Sequence, residues 1–235
     1  NYDAFLPLIE AARRTGVRRF VFASSSSVYG VKADQRVTEE LPVDPLTDYS
    51  RYKAMCEQML LEHQAAGFAC TILRPATVCG YSPRLRLDLS VNILTNHAVN
   101  RGQIRVFGGS QFRPNIHIED MADAYLRVLT LPAEQVAGKI WNVGYENLTV
   151  QQIAEKVRQV VGAEQVGIVT EATNDLRSYR VDSAKIQREI GFCARHTVEG
   201  AIRDLVAAFR SGWIPDPMND PRYYNIKTMQ AVGLK

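Results

Sequence analysis

Two short apolar segments on either side of a helical pattern constrain the fold of this chain more than any other feature. The segments "RRFVFAS" (residues 18–24) and "FACTILRPATVCG" (residues 68–80) are rich in β-branched and aromatic residues, which is typical of buried strands. Between them, residues 49–67 carry apolar residues at helical spacing and end on glycine, and another helical pattern runs from Ala4 to Thr15. Strands that alternate with helices pair in parallel, so this order predicts an open α/β sheet.

The pattern changes after Gly80. An arginine-bearing polar segment leads into a helix, and then a strand, a Gly-Gly turn, a second strand and a helix are predicted up to about residue 129. The segment "KIWNVGY" (139–145) is predicted to return to the sheet as one more strand. Beyond it we predict a helix, a short strand, two helices and an irregular, proline-bearing tail, at residues 148–162, 166–170, 182–191, 197–212 and 213–235. This second part reads as a smaller mixed lobe.

Composition excludes several classes of protein. The 235 residues are 46% hydrophobic, and the net charge of +3 comes from interleaved charges without a polybasic stripe, so nucleic acid is not an expected partner. No apolar run reaches the ~18 residues that a membrane helix needs, and no secretory signal is visible, so we expect a cytoplasmic protein. The four cysteines are far apart and lack C-x-x-C spacing, which favours a reducing compartment and no metal site.

The residues most suited to chemistry lie between the two strands. Tyr49 and Lys53 are four residues apart in a predicted helix, so the ammonium can lie beside the phenol and stabilise its phenolate. Tyr49 is therefore a candidate general acid or base. The preceding strand ends in the four serines of residues 24–27, and a hydroxyl there could hold the substrate oxygen that the tyrosine protonates or deprotonates.

Other interpretations of these residues stay open. Serines are common in solvated turns, and a lysine on a helix can extend its stem along the surface toward water. The spacing is also not specific, because Tyr223 and Lys227 in the tail form a second Y-x-x-x-K. Context favours the first pair, which opens a helix between two buried strands, whereas the second follows prolines in a segment predicted to be irregular.

The order of motifs resembles the extended short-chain dehydrogenase/reductase family, in particular its nucleotide-sugar epimerases, dehydratases and reductases. The similar segments are "SSSSVYG", "EELPVDP", "DYSRYKAMCEQML", "CTILRPATVCG", "VFGGSQFRPNIHIEDMADAYL", "WNVGYENLTVQQIAEKV" and "RSYRVDSAKIQREIGF". They cover nearly the whole chain. The resemblance implies a partial doubly wound, Rossmann-like parallel sheet with a smaller mixed substrate-binding lobe. The NAD(P)-binding part would comprise residues 1–80 and about 115–146, and the lobe about 81–114 and 147–235.

The resemblance also implies roles for individual residues. Tyr49 would be the catalytic base, Lys53 its partner on the nicotinamide ribose, and Ser25 the catalytic serine that also touches the substrate. Further cofactor contacts would come from Ser24, Pro75 and Thr77. Further substrate contacts would come from Arg86, Asn92, Arg113 and Arg177. A planar guanidinium suits phosphate oxygens, although arginines are also often only members of surface ion pairs.

The implied activity is that of a nucleotide-sugar epimerase that uses NAD, with NADP as the alternative cofactor. It would act by transient oxidation at a sugar carbon, usually C4. A 4-keto reductase or dehydrogenase would use the same side chains, and a non-catalytic binding or scaffold protein could keep the same fold. The family further suggests a homodimer formed through the helix of Tyr49 and the N-terminal helix.

Three departures from the family pattern bear on these alternatives. Ser26 and Ser27 stand where 4,6-dehydratases usually carry an acidic pair, which disfavours dehydration. Thr77 stands where many 4-epimerases have asparagine, which weakens the case for a standard UDP-galactose epimerase. The glycine-rich dinucleotide fingerprint is not found in these residues, and we expect it to precede Asn1 in a longer protein.

Overall fold

The computed structural model describes residues 2–32, 36–174 and 178–233. The helices of these residues are α1 Phe5–Arg14, α2 Asp48–Glu62, α3 Ser90–Arg101, α4 Ile118–Thr130, α5 Ala133–Val136, α6 Val150–Val161, α7 Ala184–Ile190, α8 Val198–Arg210 and α9 Asn225–Ala231. The strands are β1 Arg19–Ala23, β2 Ala69–Pro75, β3 Thr77–Cys79, β4 Gln103–Phe107, β5 Phe112–His117, β6 Lys139–Val143, β7 Glu146–Thr149 and β8 Gly167–Glu171. Two short 3₁₀ helices span Ser26–Tyr29 and Pro221–Tyr223.

The chain forms two compact units. The first comprises residues 1–76, 120–145 and 178–194, and the second comprises residues 77–119, 146–177 and 195–235. The sequence places residues 77–80 and about 115–119 in the NAD(P)-binding part, but they lie in the second unit. It also places residues 178–194 in the lobe. In the structure they lie in the first unit, because Val181 pairs with Val37 and Asn142 donates its side-chain N–H to the carbonyl oxygen of Asp182. The assignment of the units to cofactor and substrate binding stays a prediction.

The first unit contains a parallel sheet with the order β1-β2-β6. The central strand β2 is buried from Ala69 to Arg74, as expected for a parallel strand whose two faces are both covered. Apolar side chains of α1 and α2 pack together with those of β1 and β2 in one core cluster. Its buried members are Phe5, Ile9, Phe22, Cys56, Leu60, Phe68, Cys70 and Ile72. The predicted α/β architecture with a parallel, Rossmann-like sheet is confirmed.

The apolar segment 68–80 is two strands and not the single strand predicted. It is interrupted at Ala76, whose N–H donates to the carbonyl oxygen of Val143 and completes the first sheet. Pro75 precedes the break and has no N–H to extend a ladder. Thr77 then begins β3, which pairs with β5 in the second unit. Arg74 and Pro75 interrupt the apolar run just before this point, but the sequence does not show which partner strand each half takes.

The second unit contains both parallel and antiparallel strand pairs. Its sheet has the order β3-β5-β7, in which β3 and β5 are parallel and β5 and β7 antiparallel, and a separate parallel pair joins β4 to β8. Buried residues of α3, α6 and α8 form one core cluster with these strands. Strand β7 and the helix α9 were not predicted. The first residue of α9, Asn225, donates its N–H to Asp88, a cap that comes from a distant part of the chain.

Asp182 lies just before helix α7, binds the N–H of its first residue and allows a test of the first unit's stability. Its carboxylate accepts hydrogen bonds from the Ala184 N–H at 2.7 Å and the Arg36 Nε at 2.6 Å. Burial opposes the charge, but these bonds outweigh it and hold the pKa of Asp182 below its ordinary 3.8. A carboxyl whose pKa is lower in the folded state stabilises the fold above its unfolded pKa, and this contribution is lost as the pH falls through the folded pKa.

We therefore expect Asp182→Asn to lower the free energy of unfolding by about 1 kcal/mol at neutral pH. The difference from wild type should be smaller at an acid pH below the lowered folded-state pKa of Asp182, where both proteins carry a neutral group. Urea titrations at the two pH values measure it. A difference of the same size at both would contradict the role given to the charge.

Candidate active site

The end of strand β1 is shaped by a tight turn. Ser25 caps the 3₁₀ helix Ser26–Tyr29, because its Oγ accepts the N–H of Ser27 at 3.1 Å. The turn ends at Gly30, which has φ of 70°, and a Cβ there would lie 2.1 Å from the carbonyl oxygen of Asp44. Only glycine fits this close approach. The turn thus fixes Ser25, which is partly exposed, just beyond the carboxyl end of the strand.

Helix α2 presents Tyr49 in its first turn. The helix is capped by Thr47, whose Oγ accepts the N–H of Ser50 while the Ser50 hydroxyl accepts the N–H of Thr47. This reciprocal capping box sets where the helix begins. The Tyr49 side chain is 59% exposed, and the Lys53 Nζ lies 5.7 Å from the centroid of its ring. The Lys53 ammonium therefore lies beside the Tyr49 ring, as their spacing in the sequence predicts.

Lys53 joins this helix to the serine-bearing strand. Its Nζ donates to the carbonyl oxygen of Ala23 at 2.7 Å and lies 4.8 Å from the centroid of the Phe22 ring. Burial lowers the pKa of Lys53, and the neighbouring Cys56 and Glu57 oppose that shift. Because Ala23 is two residues before Ser25, the contact brings the helix of Tyr49 and Lys53 to the strand end of Ser24 and Ser25.

A second tyrosine, Tyr125 on α4, lies near Tyr49 in the first unit. Burial raises its pKa to about 12, with a smaller contribution from Tyr49 in the same direction. Tyr125 is therefore a neutral phenol at physiological pH. Its burial makes Tyr125 a poor candidate for a base.

The structure contains a buried polar cluster between α2 and β2 that was not predicted from the sequence. Glu57 on α2 and Arg74 on β2 form an ion pair with an N–O distance of 2.6 Å, and their side chains are 5% and 6% exposed. Burial works to lower the pKa of Arg74, but the hydrogen bonds and charge of Glu57 outweigh it and raise the pKa. A detectable signal existed, because an arginine inside an apolar strand requires a buried partner.

Two of the predicted cofactor contacts, Ser24 and Pro75, lie in the first unit, and Thr77 lies in the second. Ser24 is 4% exposed and its hydroxyl donates to Glu57, so it is engaged within the protein. Pro75 is the last residue of β2 in the first unit, opposite Val143. Thr77 is the first residue of β3 in the second unit and is partly exposed.

Two of the predicted substrate contacts in the second unit, Arg86 and Asn92, are joined by a hydrogen bond, whereas Arg113 lies apart on β5. Asn92 is 2% exposed; its Oδ1 accepts the N–H of Gly80 at 3.1 Å and its Nδ2 donates to the carbonyl oxygen of Arg86 at 2.9 Å. Asn92 therefore holds the segment that carries Arg86. The Arg86 Nε donates to Asp88 at 3.0 Å.

Two further arginines complete the predicted set. Arg113 on β5 is partly exposed, and its Nη1 donates to the carbonyl oxygen of Phe112 at 3.1 Å. Arg177 lies outside the described residues. Within those residues, no group of three or more His, Cys, Asp and Glu side chains could hold a metal ion. Nor is any helix of the described chain long and apolar enough to cross a membrane.

Comparison with known proteins shows a consistent set of relatives. A UDP-glucose 4-epimerase of Azospirillum brasilense is 27% identical over 227 residues, covering 88% of this chain and 65% of the relative. A dTDP-glucose 4,6-dehydratase of Streptomyces griseus is 28% identical over 223 residues, covering 92% and 66%. The solved structure of MoeE5 in complex with UDP-glucuronic acid and NAD is 27% identical, with a TM-score of 0.77 and coverage of 89% and 70%.

The chain thus spans about 65% of the length of these two curated relatives, and 51% to 53% of others. A family model described as the NAD dependent epimerase/dehydratase family matches residues 1–144, which is more than half of the chain. The segments with the serine turn, the Tyr49 helix and strand β2 all lie in this range, and the resemblance inferred from their motifs is confirmed. The chain belongs to the NAD dependent epimerase/dehydratase family.

Proposed function

We propose that the protein containing this chain is an NAD(P)-dependent nucleotide-sugar epimerase that acts by transient oxidation at a sugar carbon, C4 in the first instance. The observation that carries the proposal is the Lys53 ammonium, placed 5.7 Å from the Tyr49 ring and bonded to the carbonyl oxygen of Ala23, just before Ser25. A partly exposed hydroxyl, an exposed phenol and an ammonium therefore belong to one local structure. The similarity to a UDP-glucose 4-epimerase and to a protein solved with UDP-glucuronic acid and NAD supports the same class of substrate.

Each of the three side chains has a distinct task in this proposal. Tyr49 removes the proton of the sugar hydroxyl, and its exposure leaves the phenol oxygen accessible. Ser25 donates a hydrogen bond to the sugar oxygen and holds it in place. Lys53 stabilises the tyrosine in its phenolate form and donates to a ribose hydroxyl of the cofactor.

The donor set suits a dinucleotide in this part of the chain. An ammonium has three protons to donate, and one is directed at Ala23. Pro75 ends the central parallel strand, and ligands of open α/β sheets bind at the carboxyl ends of such strands. NAD, when bound, would accept the hydride from the sugar carbon and return it. The Arg113 guanidinium is proposed to contact the nucleotide diphosphate, and Arg86 is proposed as a further contact of the sugar nucleotide.

The full-length gene product, purified under native conditions, tests this proposal. UDP-glucose, UDP-glucuronic acid and dTDP-glucose are supplied separately, and products are resolved by chromatography and mass spectrometry. We expect an epimer of unchanged mass, formed without net consumption of added NAD(P)H. Consumption of NADH in step with product would identify a reductase, and loss of water a dehydratase. Failure to bind any nucleotide sugar or cofactor would favour a non-catalytic role.

We also propose that the protein forms a homodimer through α1 and α2. These helices expose apolar side chains, since Leu6 and Leu8 of α1 are 37% and 54% exposed and Tyr52 and Met55 of α2 are 50% and 39% exposed. Exposed apolar side chains on adjacent helices are typical of a protein interface. The family resemblance suggests a second copy as the occupant.

Leu8→Lys is expected to turn the dimer into a monomer at micromolar concentration, because a charge would be buried at the interface. Size-exclusion chromatography with light scattering measures the mass. Val169→Lys, at a residue of β8 that is 42% exposed, is the control and should leave the dimer intact. A Leu8→Lys protein with the mass of the wild-type dimer would place the interface elsewhere, and a monomeric wild type would refute the dimer.

A further inference from the structure

Glu57 lies on the same helix as the proposed catalytic base. Tyr49, Lys53 and Glu57 follow one another at intervals of four residues along one side of α2. Exposure falls along this row, since Tyr49 is 59% exposed, Lys53 is intermediate and Glu57 is 4% exposed. The row therefore leads from the accessible phenol to a carboxylate inside the first unit.

The carboxylate of Glu57 is held by one partner from strand β2 and one from the residue that follows strand β1. Its Oε1 accepts the hydroxyl proton of Ser24, directly before the proposed catalytic Ser25. Arg74 of β2 donates to the same carboxylate through Nε at 3.0 Å and Nη2 at 2.6 Å. Such a two-pronged contact fixes orientation as well as distance.

Arg74 extends the connection to the other end of the serine turn. Its Nη1 donates to the hydroxyl oxygen of Tyr29 at 2.8 Å, and that hydroxyl donates to Asn142 Oδ1 at 2.8 Å. The Glu57–Arg74 pair therefore contacts Ser24 on one side of Ser25 and Tyr29 on the other. The short segment that presents Ser25 is held at both ends by groups tied to helix α2.

We propose that Glu57 is a positioning residue for the reaction, one that holds Ser25 in a fixed relation to Tyr49 and Lys53. This inference rests on the proposed function. A buried ion pair is weak evidence for a role in stability, because apolar replacement of both partners is often neutral or stabilising. What apolar side chains cannot replace is the hydrogen bond to Ser24 and the link to Tyr29. Small errors in the placement of reacting groups lower rates strongly.

The test replaces both partners together, because loss of one alone could unfold the protein. The double variant Glu57→Leu/Arg74→Met keeps the core apolar and leaves no unpaired charge behind. Glu62→Gln, at an exposed acid of the same helix, is the matched control. Three quantities are compared in the full-length protein: the free energy of unfolding in urea, hydrogen exchange of the amides of residues 24–30, and kcat and KM for the nucleotide sugar.

We expect the double variant to stay folded, with amide exchange in residues 24–30 at least about tenfold faster than in wild type. We expect kcat to fall by about ten- to a hundredfold with KM little changed, because the loss concerns alignment and not binding. Glu57→Asp, which keeps the charge, should restore part of kcat. The control should match wild type in every measurement.

The outcomes separate this inference from the proposed function. A folded double variant with wild-type kcat overturns the positioning role, whatever its exchange rates. Wild-type exchange in residues 24–30 with a lowered kcat would also overturn it, because the serine segment would then not depend on Glu57. If the wild-type protein shows no turnover, the proposed function is refuted. If residues 24–30 of the double variant then exchange as slowly as in wild type, the link between Glu57 and the serine segment is refuted as well.

Discussion

Tyr49→Phe should lower kcat by about 10²- to 10⁴-fold while KM for the nucleotide sugar changes little. The change removes a single oxygen, the proposed proton acceptor, and general acid–base catalysis is worth about this much. Because the side chain is 59% exposed, we expect the free energy of unfolding to stay within about 0.5 kcal/mol of wild type. Initial rates over a range of substrate concentrations measure kcat and KM, and urea titration measures stability.

The chain carries its own control for this substitution. Tyr223 and Lys227 repeat the Y-x-x-x-K spacing, but Tyr223 lies in the 3₁₀ helix Pro221–Tyr223 and Lys227 in α9. The Lys227 Nζ lies 4.3 Å from the ring centroid of Tyr224, the residue after Tyr223. Tyr223→Phe should therefore leave kcat within about threefold of wild type. Equal activity of the Tyr49→Phe and wild-type proteins would remove Tyr49 from the mechanism.

The sequence predicted those features of the fold that depend on neighbouring residues. The apolar runs of β1 and β2, and the helical spacing from Tyr49 to Leu60, are local patterns, and the structure confirms both strands and the helix. The change of partner at Ala76 was not predictable, because it is a tertiary event, although the neighbouring Pro75 marks a place where a ladder can end. The beginning of α9 depends likewise on Asp88, 137 residues away.

The same distinction explains what was found of the candidate site. Tyr49 and Lys53 were identifiable because one helix places them side by side, and the contact of Lys53 with Ala23 connects them to the serine turn. Glu57 continues that spacing by four more residues, yet its role depends on Arg74, which comes from another strand. Sequence spacing gives the members of one helix, whereas a polar network across three elements requires the folded structure.

Arg74→Met should destabilise the first unit by about 3–5 kcal/mol, the largest loss of stability that we predict. Removing the guanidinium leaves the Glu57 carboxylate, 5% exposed, without its cationic partner, and it also removes the donor to the Tyr29 hydroxyl. Tyr29 is 0% exposed, and this burial raises its pKa to about 12. Urea unfolding followed by circular dichroism measures the change in midpoint.

A second ion pair of helix α2 provides the matched control. Arg51 and Asp48 lie 3.3 Å apart, with side chains 58% and 80% exposed, so water solvates both charges when the pair is broken. Arg51→Met should therefore cost less than about 0.5 kcal/mol. Similar effects of Arg74→Met and Arg51→Met would mean that the buried carboxylate finds water or another donor. In that case the Glu57–Arg74 pair would lack the rigidity that its bidentate geometry indicates, and the positioning of Ser25 would have to come from the 3₁₀ turn alone.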